Sequence, residues 1–440
     1  MLDRTFDHIK NIDDLSKLKL PMLFFGLAIW VVTPIIGNIP ILLSIQLDLL
    51  KTRRRKPKFL TLNNLLLVLV VLSLTIYISS FEIFADTKVY LDIYKTLDTK
   101  GIFDNYIAKE RYEFGLFLLL YPLHILTDGS EYLALFFFSL ISNFIVTFYL
   151  SKKLSDKYYP TILLIIFSTF FYYSQLFYMR QFLALLLVMM AIVNLESSFI
   201  AFCIWSLLAI FTHSSSAIYI FIAVVSKSLF LVKAIKIKAP KINKFFWYIC
   251  LAFLALIIIS TAWTIYNNPQ EIYKYANNII DLLPKQQLTN SIQDRINLYD
   301  GRDRETFAFD IYRALATIVV GIFVIAKRHQ KLTPIRLSLC IIYLISLLQI
   351  VFVIVTGFNQ RIVYLFLTFY GFFFCIGLDD RAKPKLGLIS LLTMFIAAAN
   401  TYNFLTIQIN MSDVDGWSFF DGQPLMMSVY DYVVYFFKSF

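Results

Sequence analysis

The sequence predicts an all-α polytopic membrane protein of about twelve transmembrane helices plus one short re-entrant or interfacial helix. Three observations carry this. Of 440 residues, 59% are hydrophobic and only 16% charged. The apolar residues gather into repeated runs of about 20, the length a helix needs to cross a bilayer. The net charge of +11 sits in short loops between those runs, which is the pattern of the positive-inside rule and not of a nucleic-acid-binding face. In hydrocarbon every backbone N–H and C=O must be bonded within its own segment, and runs this long and evenly apolar exceed barrel strands, so helices remain.

Taken in order, residues 1–20, "MLDRTFDHIKNIDDLSKLKL", mix acids and bases and lack the basic start and short apolar core of a cleaved signal. Residues 1–21 therefore read as an external N-terminal extension, followed by a transmembrane domain over 22–407. Its spans read as 22–50, 60–81, 131–150, 159–178, 181–195, 198–211, 215–230, 245–266, 310–326, 335–356, 361–378 and 386–407. The basic loop "KTRRRKPK" at 51–58 places the end of the first span inside. Alternation then puts 151–157, 227–244, 327–336 and 379–385 inside as well, with both termini external. These inside segments and their flanks hold 22 Lys and Arg against five acids, leaving 18 bases and 24 acids outside. Two long external loops, 82–113 and 267–309, and an external tail, 408–440, complete the layout.

Two stretches need separate treatment. "FGLFLLLYPLHIL" at 114–126 would invert every later loop if it crossed, and its 13 residues suit a re-entrant or interfacial helix on the outer side. The uncharged run from Tyr158 to Leu195 is broken by one cation, Arg180. As a single helix its 38 residues would measure about 57 Å against a hydrocarbon core of about 30 Å, so it folds back on itself with Arg180 at the outer turn. The four cysteines, Cys203, Cys250, Cys340 and Cys375, fall inside predicted spans with no CxxC spacing and read as small core residues.

The outer turns hold the unusual charges: Arg180, His213 in "AIFTHSSSAIY" and Arg361 in "TGFNQRIVYLF". An arginine near the bilayer centre costs about 2.5–3.5 kcal/mol on insertion scales, so a charge kept at depth points to function. Each has a plain alternative, since an arginine at a hairpin can snorkel and a histidine beside serines can serve only its own turn. Three at short turns on one side favour a common site. Guanidinium matches phosphate oxygens with a planar fork and stays charged, which suits a lipid diphosphate at the outer interface. Asp86, Asp92 and Glu113 are the nearby carboxylates that could accept a proton from an attacking hydroxyl. Asp92 is better explained by the general acidity of outer loops. Tyr90 and Tyr94 could stack on sugars, although an interfacial aromatic belt accounts for most external tyrosines. No phosphate loop, HExxH or GxSxG motif occurs, and no metal is called for.

In the order "ADTKVYLDIY", "YEFGLFLLL", "MRQFLALLL", "FTHSSSAIYI" and "NQRIVYLF", residues 60 to 378 resemble the EpsG-like, Wzy-type membrane polymerases of bacterial polysaccharides. Asp86-Thr87 with Tyr90 and Tyr94 resembles the family's "GTDT..Y...Y" loop, Tyr112-Glu113 its "YEPGY"-like start, Arg180-Gln181 with Leu183-Ala184 its "RQ.LA", and His213-Ser214-Ser215 its "FH.S". Ala85 stands where a glycine is usual and Phe114 where a proline is. The resemblance implies a metal-independent, C-type glycosyltransferase of the bacterial cytoplasmic membrane, without cofactor. It would join undecaprenyl-diphosphate-linked oligosaccharide repeat units at the outer face, with a flippase and a chain-length regulator nearby. On that footing Glu113, Asp86 and His213 are the catalytic candidates, and Arg180, Gln181, Arg361, Ser214, Tyr90 and Tyr94 the substrate-binding ones. A flippase for the same units, or a ligase or acyltransferase acting once on a surface glycan, are the alternatives.

Overall fold

The computed structural model describes residues 17–51, 61–79, 85–95, 115–167, 171–231, 320, 333–356, 361–376, 428–431 and 433–434. Every regular element among them is helical. The chain divides into two units, one of 1–220 with 379–440 and one of 221–378. The expected spans 245–266 and 386–407, all but Val320 of 310–326, the loop 267–309 and most of the tail lie outside the described residues.

The first apolar run is two helices, α1 (Lys19–Val32) and α2 (Pro34–Lys51), folded against each other. This corrects the single span expected over 22–50. A helix of that length would measure about 44 Å, and the chain breaks at Thr33, which is non-helical with φ −142° and ψ 87°. Pro34 then opens α2, a position where its missing N–H is not needed. Hydropathy gives no warning, because "VVTPII" stays apolar through the break. A Cβ on Gly37 would lie 2.4 Å from the Cα of Trp30, so glycine is what lets the two backbones close. At the other end the Lys19 ammonium donates to Asp48 at 2.6 Å, and the Ser44 hydroxyl donates to the Lys19 carbonyl at 3.1 Å. Lys19 therefore lies at the face where α2 ends, not at the opposite one as the external extension supposed.

The same face gathers the other ends. The Asn63 amide donates to Asp48 at 2.9 Å, at the start of α3 (Leu62–Ser79). Lys152 donates to Asn64 at 2.9 Å near the end of α6 (Glu131–Leu154, with a π-helical stretch at Ile145–Leu150), so α3 and α6 pack antiparallel. Lys153 donates to Asn194 at 3.0 Å and to Ser197 at 2.8 Å, at the turn between α9 (Met179–Asn194) and α10 (Phe199–Thr212). This lysine face thus collects Lys19, Lys152 and Lys153. Among the described residues, α3 and α6 are the two helices long and apolar enough to cross a membrane unaided, so the count of twelve spans is not established.

The 38-residue apolar run does fold back, in three pieces: α7 (Tyr159–Ile166), α8 (Phe171–Phe177) and, after a turn at Tyr178, α9. The 16 residues of α9 and 14 of α10 span about 24 Å and 21 Å, short of a hydrocarbon core of about 30 Å. With their lysine-face ends pinned as above, their far ends stop below the far end of α6. A buried contact measures the step: Gln175 of α8 donates to Asn143 of α6 at 3.1 Å, and Asn143 is about 18 Å along the helix from Glu131. Two short helices, α4 (Ala85–Lys95) and α5 (Gly115–Thr127), pack into that step, α4 against α5, α6, α8 and α9, and α5 against α6 and α10. α5 does not run between the faces. Gly115 meets Thr212 at the far end of α10, while the Thr127 hydroxyl pairs with Tyr94 beside the start of α6.

α11 (Ser216–Leu231) follows α10. In the second unit, α12 (Pro334–Thr356) packs on α13 (Arg361–Thr368) and on the α14 turn (Tyr370–Phe373), with Tyr343 against Phe366 at 5.7 Å between ring centroids.

Candidate functional site

Arg180 is the second residue of α9, immediately after the break at Tyr178, and its guanidinium lies over the Tyr90 ring of α4 at 5.3 Å from the centroid. A ring face balances the cation through its quadrupole. Tyr90 in turn packs edge-on against Phe117 of α5 at 6.2 Å. Two residues before Phe117, Gly115 sits on Thr212, where a Cβ would be 2.6 Å from the hydroxyl and 2.7 Å from the backbone N. His213 follows directly. The cation, the tyrosine and the histidine thus stand around one step in the bundle, held by α9, α4, α5 and α10, on the face opposite the three lysines.

His213 ends α10 and is 3% exposed. Its Nδ1 receives the Ser215 backbone N–H at 3.3 Å and lies 2.8 Å from the Ser215 hydroxyl. A backbone N–H can only donate, so Nδ1 accepts, and the proton of the neutral imidazole is on Nε2. In this state His213 is a hydrogen-bond donor, which suits an anion better than it suits proton abstraction. Gln181, beside Arg180, is buried and its amide nitrogen has no hydrogen-bond partner. Ser214 is exposed in the turn, where its carbonyl accepts from the Ala217 N–H at 3.1 Å.

Tyr94 is fully buried, bonded through its hydroxyl to Thr127 and edge-on to His124 at 5.2 Å, so it fastens α4 to α5 at a distance from Arg180. Burial raises its phenol above the ordinary range, partly offset by the Thr127 hydrogen bond, and it stays neutral. Beside it the Lys95 ammonium pairs with Glu131 at 2.8 Å, and this carboxylate holds the ammonium's pKa up. Asp92 is exposed and lies 3.6 Å from the same ammonium. Asp86 belongs to the first turn of α4, one turn before Tyr90, and Arg361 opens α13 in the second unit. The side chains of both lie outside the described residues, as does Glu113 altogether, two positions before Gly115.

Three contributions to this arrangement, Gly115, Asn143 and Gln175, lie outside the candidate residues that the sequence singles out. Gly115 sets the approach of α5 to α10, and nothing distinguishes it from any glycine at a helix start. Asn143 and Gln175 set the depth of the Arg180 turn, and their signal was there to find: each is an uncharged amide alone in an apolar run, "SLISNFIV" and "FYYSQLFY". In a membrane helix such residues usually bond across to another helix.

No curated protein and no solved structure matches the chain. The model of the EpsG family matches residues 64–414, a stretch that runs from the first turn of α3 through α14 and takes in every candidate residue above, and the chain belongs to that family.

Proposed function

We propose that this protein is a polysaccharide polymerase that lengthens a glycan at the outer face of the bacterial cytoplasmic membrane, the lysine face being cytoplasmic. The growing chain leaves its undecaprenyl diphosphate and is joined to the terminal sugar hydroxyl of the next lipid-linked repeat unit. The observation that carries this reading is the Arg180 cation over Tyr90 at a step of the bundle opposite the lysines, with His213 reached from it only through Phe117, Gly115 and Thr212. It is supported by membership of a family associated with polysaccharide biosynthesis in membranes.

In this mechanism the C–O bond between the anomeric carbon and the diphosphate breaks as the acceptor oxygen attacks that carbon. Negative charge develops on the departing diphosphate. Arg180 and Arg361 would hold its oxygens, with the His213 Nε2–H donating a further hydrogen bond. A fixed cation in a low-dielectric setting needs no reorganisation when the charge appears. Asp86 or Glu113 would take the acceptor's proton, Gln181 and Ser214 would lie beside the diphosphate and its first sugar, and Tyr90 would shape the wall, with Tyr94 holding α4 on α5 behind it. No metal or cofactor enters the scheme, and a flippase and chain-length regulator would be its working partners.

Purified full-length protein in lipid bilayers, given lipid-linked repeat units, tests this directly. Arg180→Ala and Arg361→Ala should each slow elongation about 100- to 1,000-fold, the usual loss on removing one such donor. Elongation near the wild-type rate in both variants would exclude the mechanism. Deleting the gene separates the rival classes: a lost polymerase leaves single repeat units attached, a lost flippase leaves none, and a lost ligase or acyltransferase leaves long chains without one decoration.

A further inference from the structure

Lys19 and Lys95 are each neutralised by a carboxylate, Asp48 at 2.6 Å and Glu131 at 2.8 Å. Lys152 and Lys153, in the last turn of α6, are not. Lys152 donates to the Asn64 side-chain carbonyl of α3 at 2.9 Å, and Lys153 to Asn194 at 3.0 Å and Ser197 at 2.8 Å. Among the described residues neither forms an ion pair. The Asp48 carboxylate on the same face is engaged elsewhere, one oxygen by Lys19 and the other by Asn63.

Lys152 also heads a continuous apolar lane. Its ammonium lies over the Phe148 ring, 4.7 Å from the centroid, and 5.3 Å from the ring centroid of Tyr159 on α7. Further from the lysine face Phe148 stacks on Phe144 at 4.6 Å. Phe144 is 48% exposed and Ile141, one turn beyond it, 49%. Because α6 is long and apolar enough to cross a membrane, this outward stripe meets acyl chains, and Lys152 stands at headgroup level where the apolar span ends. Amide oxygen and ring faces hold the ammonium in place without cancelling its charge. A cation held in this way between helices, at the cytoplasmic end of a span, matches the phosphate of an anionic lipid. A zwitterionic headgroup brings its own cation and gains less. Lys153 is exposed and bonded instead across to the α9–α10 turn.

We infer that Lys152, Asn64, Phe148 and Phe144 form a binding site for an anionic phospholipid of the cytoplasmic leaflet, with its phosphate on the Lys152 ammonium and an acyl chain along the two rings. The site goes beyond the polymerase reading and does not depend on it, since it lies at the face opposite Arg180. Asn64 belongs to α3 and the other three residues to α6, so an occupied site ties this antiparallel pair together and stabilises the fold.

The melting temperature of full-length protein in neutral detergent reads occupancy, because a ligand that binds only the folded state raises it. Three probes are titrated: a short-chain phosphatidylglycerol, the matching phosphatidylcholine and inorganic phosphate. Phosphatidylglycerol should raise the melting temperature, and the other two should leave it unchanged. Lys152→Gln should move the half-saturating phosphatidylglycerol concentration up about tenfold or more, the worth of a charge-assisted hydrogen bond, and Lys152→Arg should respond like wild type. Lys153→Gln removes the same charge one residue on and should move it less than about threefold, as for an exposed charge. Each variant is compared with its own ligand-free melting temperature, so a change in stability alone does not enter the result. The site is excluded if Lys152→Gln responds like wild type, or if Lys153→Gln loses as much, which would spread the attraction over the whole face. It is excluded equally if phosphatidylcholine or inorganic phosphate acts as well as phosphatidylglycerol. None of these outcomes bears on Arg180.

Discussion

Gly115 is the residue on which the site's assembly turns, because it stands where one helix meets the backbone of another. The nearest atoms to an added Cβ are the Thr212 hydroxyl at 2.6 Å, its backbone N at 2.7 Å and the Phe211 carbonyl carbon at 2.8 Å. Two of the three are main chain and cannot rotate away, so a methyl group has to push α5 off α10. Overpacking of this kind costs about 1–3 kcal/mol. Phe117 and the Tyr90 ring beneath Arg180 move with α5. Gly115→Ala is therefore predicted to lower the melting temperature of the detergent-solubilised protein and to cut elongation at least tenfold, although it alters no group that touches substrate. A variant with wild-type stability and activity would show that α5 does not fix the place of Tyr90.

Among the elements, the broken leg α7–α8 and its hold on α6 decide how deep Arg180 sits. Gln175 donates to Asn143, Asn143 donates to Thr75 at 3.2 Å, and Thr75 donates to the Val71 carbonyl at 2.8 Å, a line of bonds with every side chain in it fully buried. Breaking one link strands its neighbours, while replacing both amides by hydrocarbon strands fewer. Asn143→Leu and Gln175→Leu are each predicted to destabilise the bundle by about 1 kcal/mol, and the double variant by less than the sum, with a coupling of about 0.6 kcal/mol or more. Strict additivity in chemical denaturation would show that the contact carries no energy. The sequence made this region partly legible. Length alone shows that 158–195 must turn, and the lone charge marks where, because hydrocarbon tolerates neither a 57 Å helix nor an unassisted cation. The spans read as 181–195 and 198–211 already stop short, as α9 and α10 do, but hydropathy could not show that the first run is a hairpin. A window of apolar residues looks the same whether the chain goes on or folds back, and only Pro34, with Gly26 and Gly37 on the facing surfaces, separates the two.

At the scale of the whole molecule, the hairpin puts the start of α1 on the lysine face and leaves Arg180 at the opposite one. Charge asymmetry is the ground for taking the lysine face as inside, and on that expectation Arg180 and His213, at the opposite face, keep the outer side. Lys19 does not: bonded to Asp48, it shares the face of Lys152 and Lys153. An ion pair at 29% exposure on each side chain is a weak tether on its own. Here it is backed by the Ser44 bond to the Lys19 carbonyl, the Asn63 bond to Asp48 and close packing along the whole of α1 and α2. Cysteine labelling decides the matter. With the four native cysteines replaced, single cysteines are placed at Lys17, at Ser197 in the α9–α10 turn and at Asp128 in the α5–α6 turn, all three exposed positions. A membrane-impermeant maleimide added to intact cells is predicted to label Asp128→Cys alone, and to reach Lys17→Cys and Ser197→Cys only after the membrane is opened. Labelling of Lys17→Cys from outside would restore a single first span and break the hairpin. Labelling of Ser197→Cys from outside would invert the bundle, move the Arg180 site to the cytoplasmic face and exclude the proposed action at the outer one.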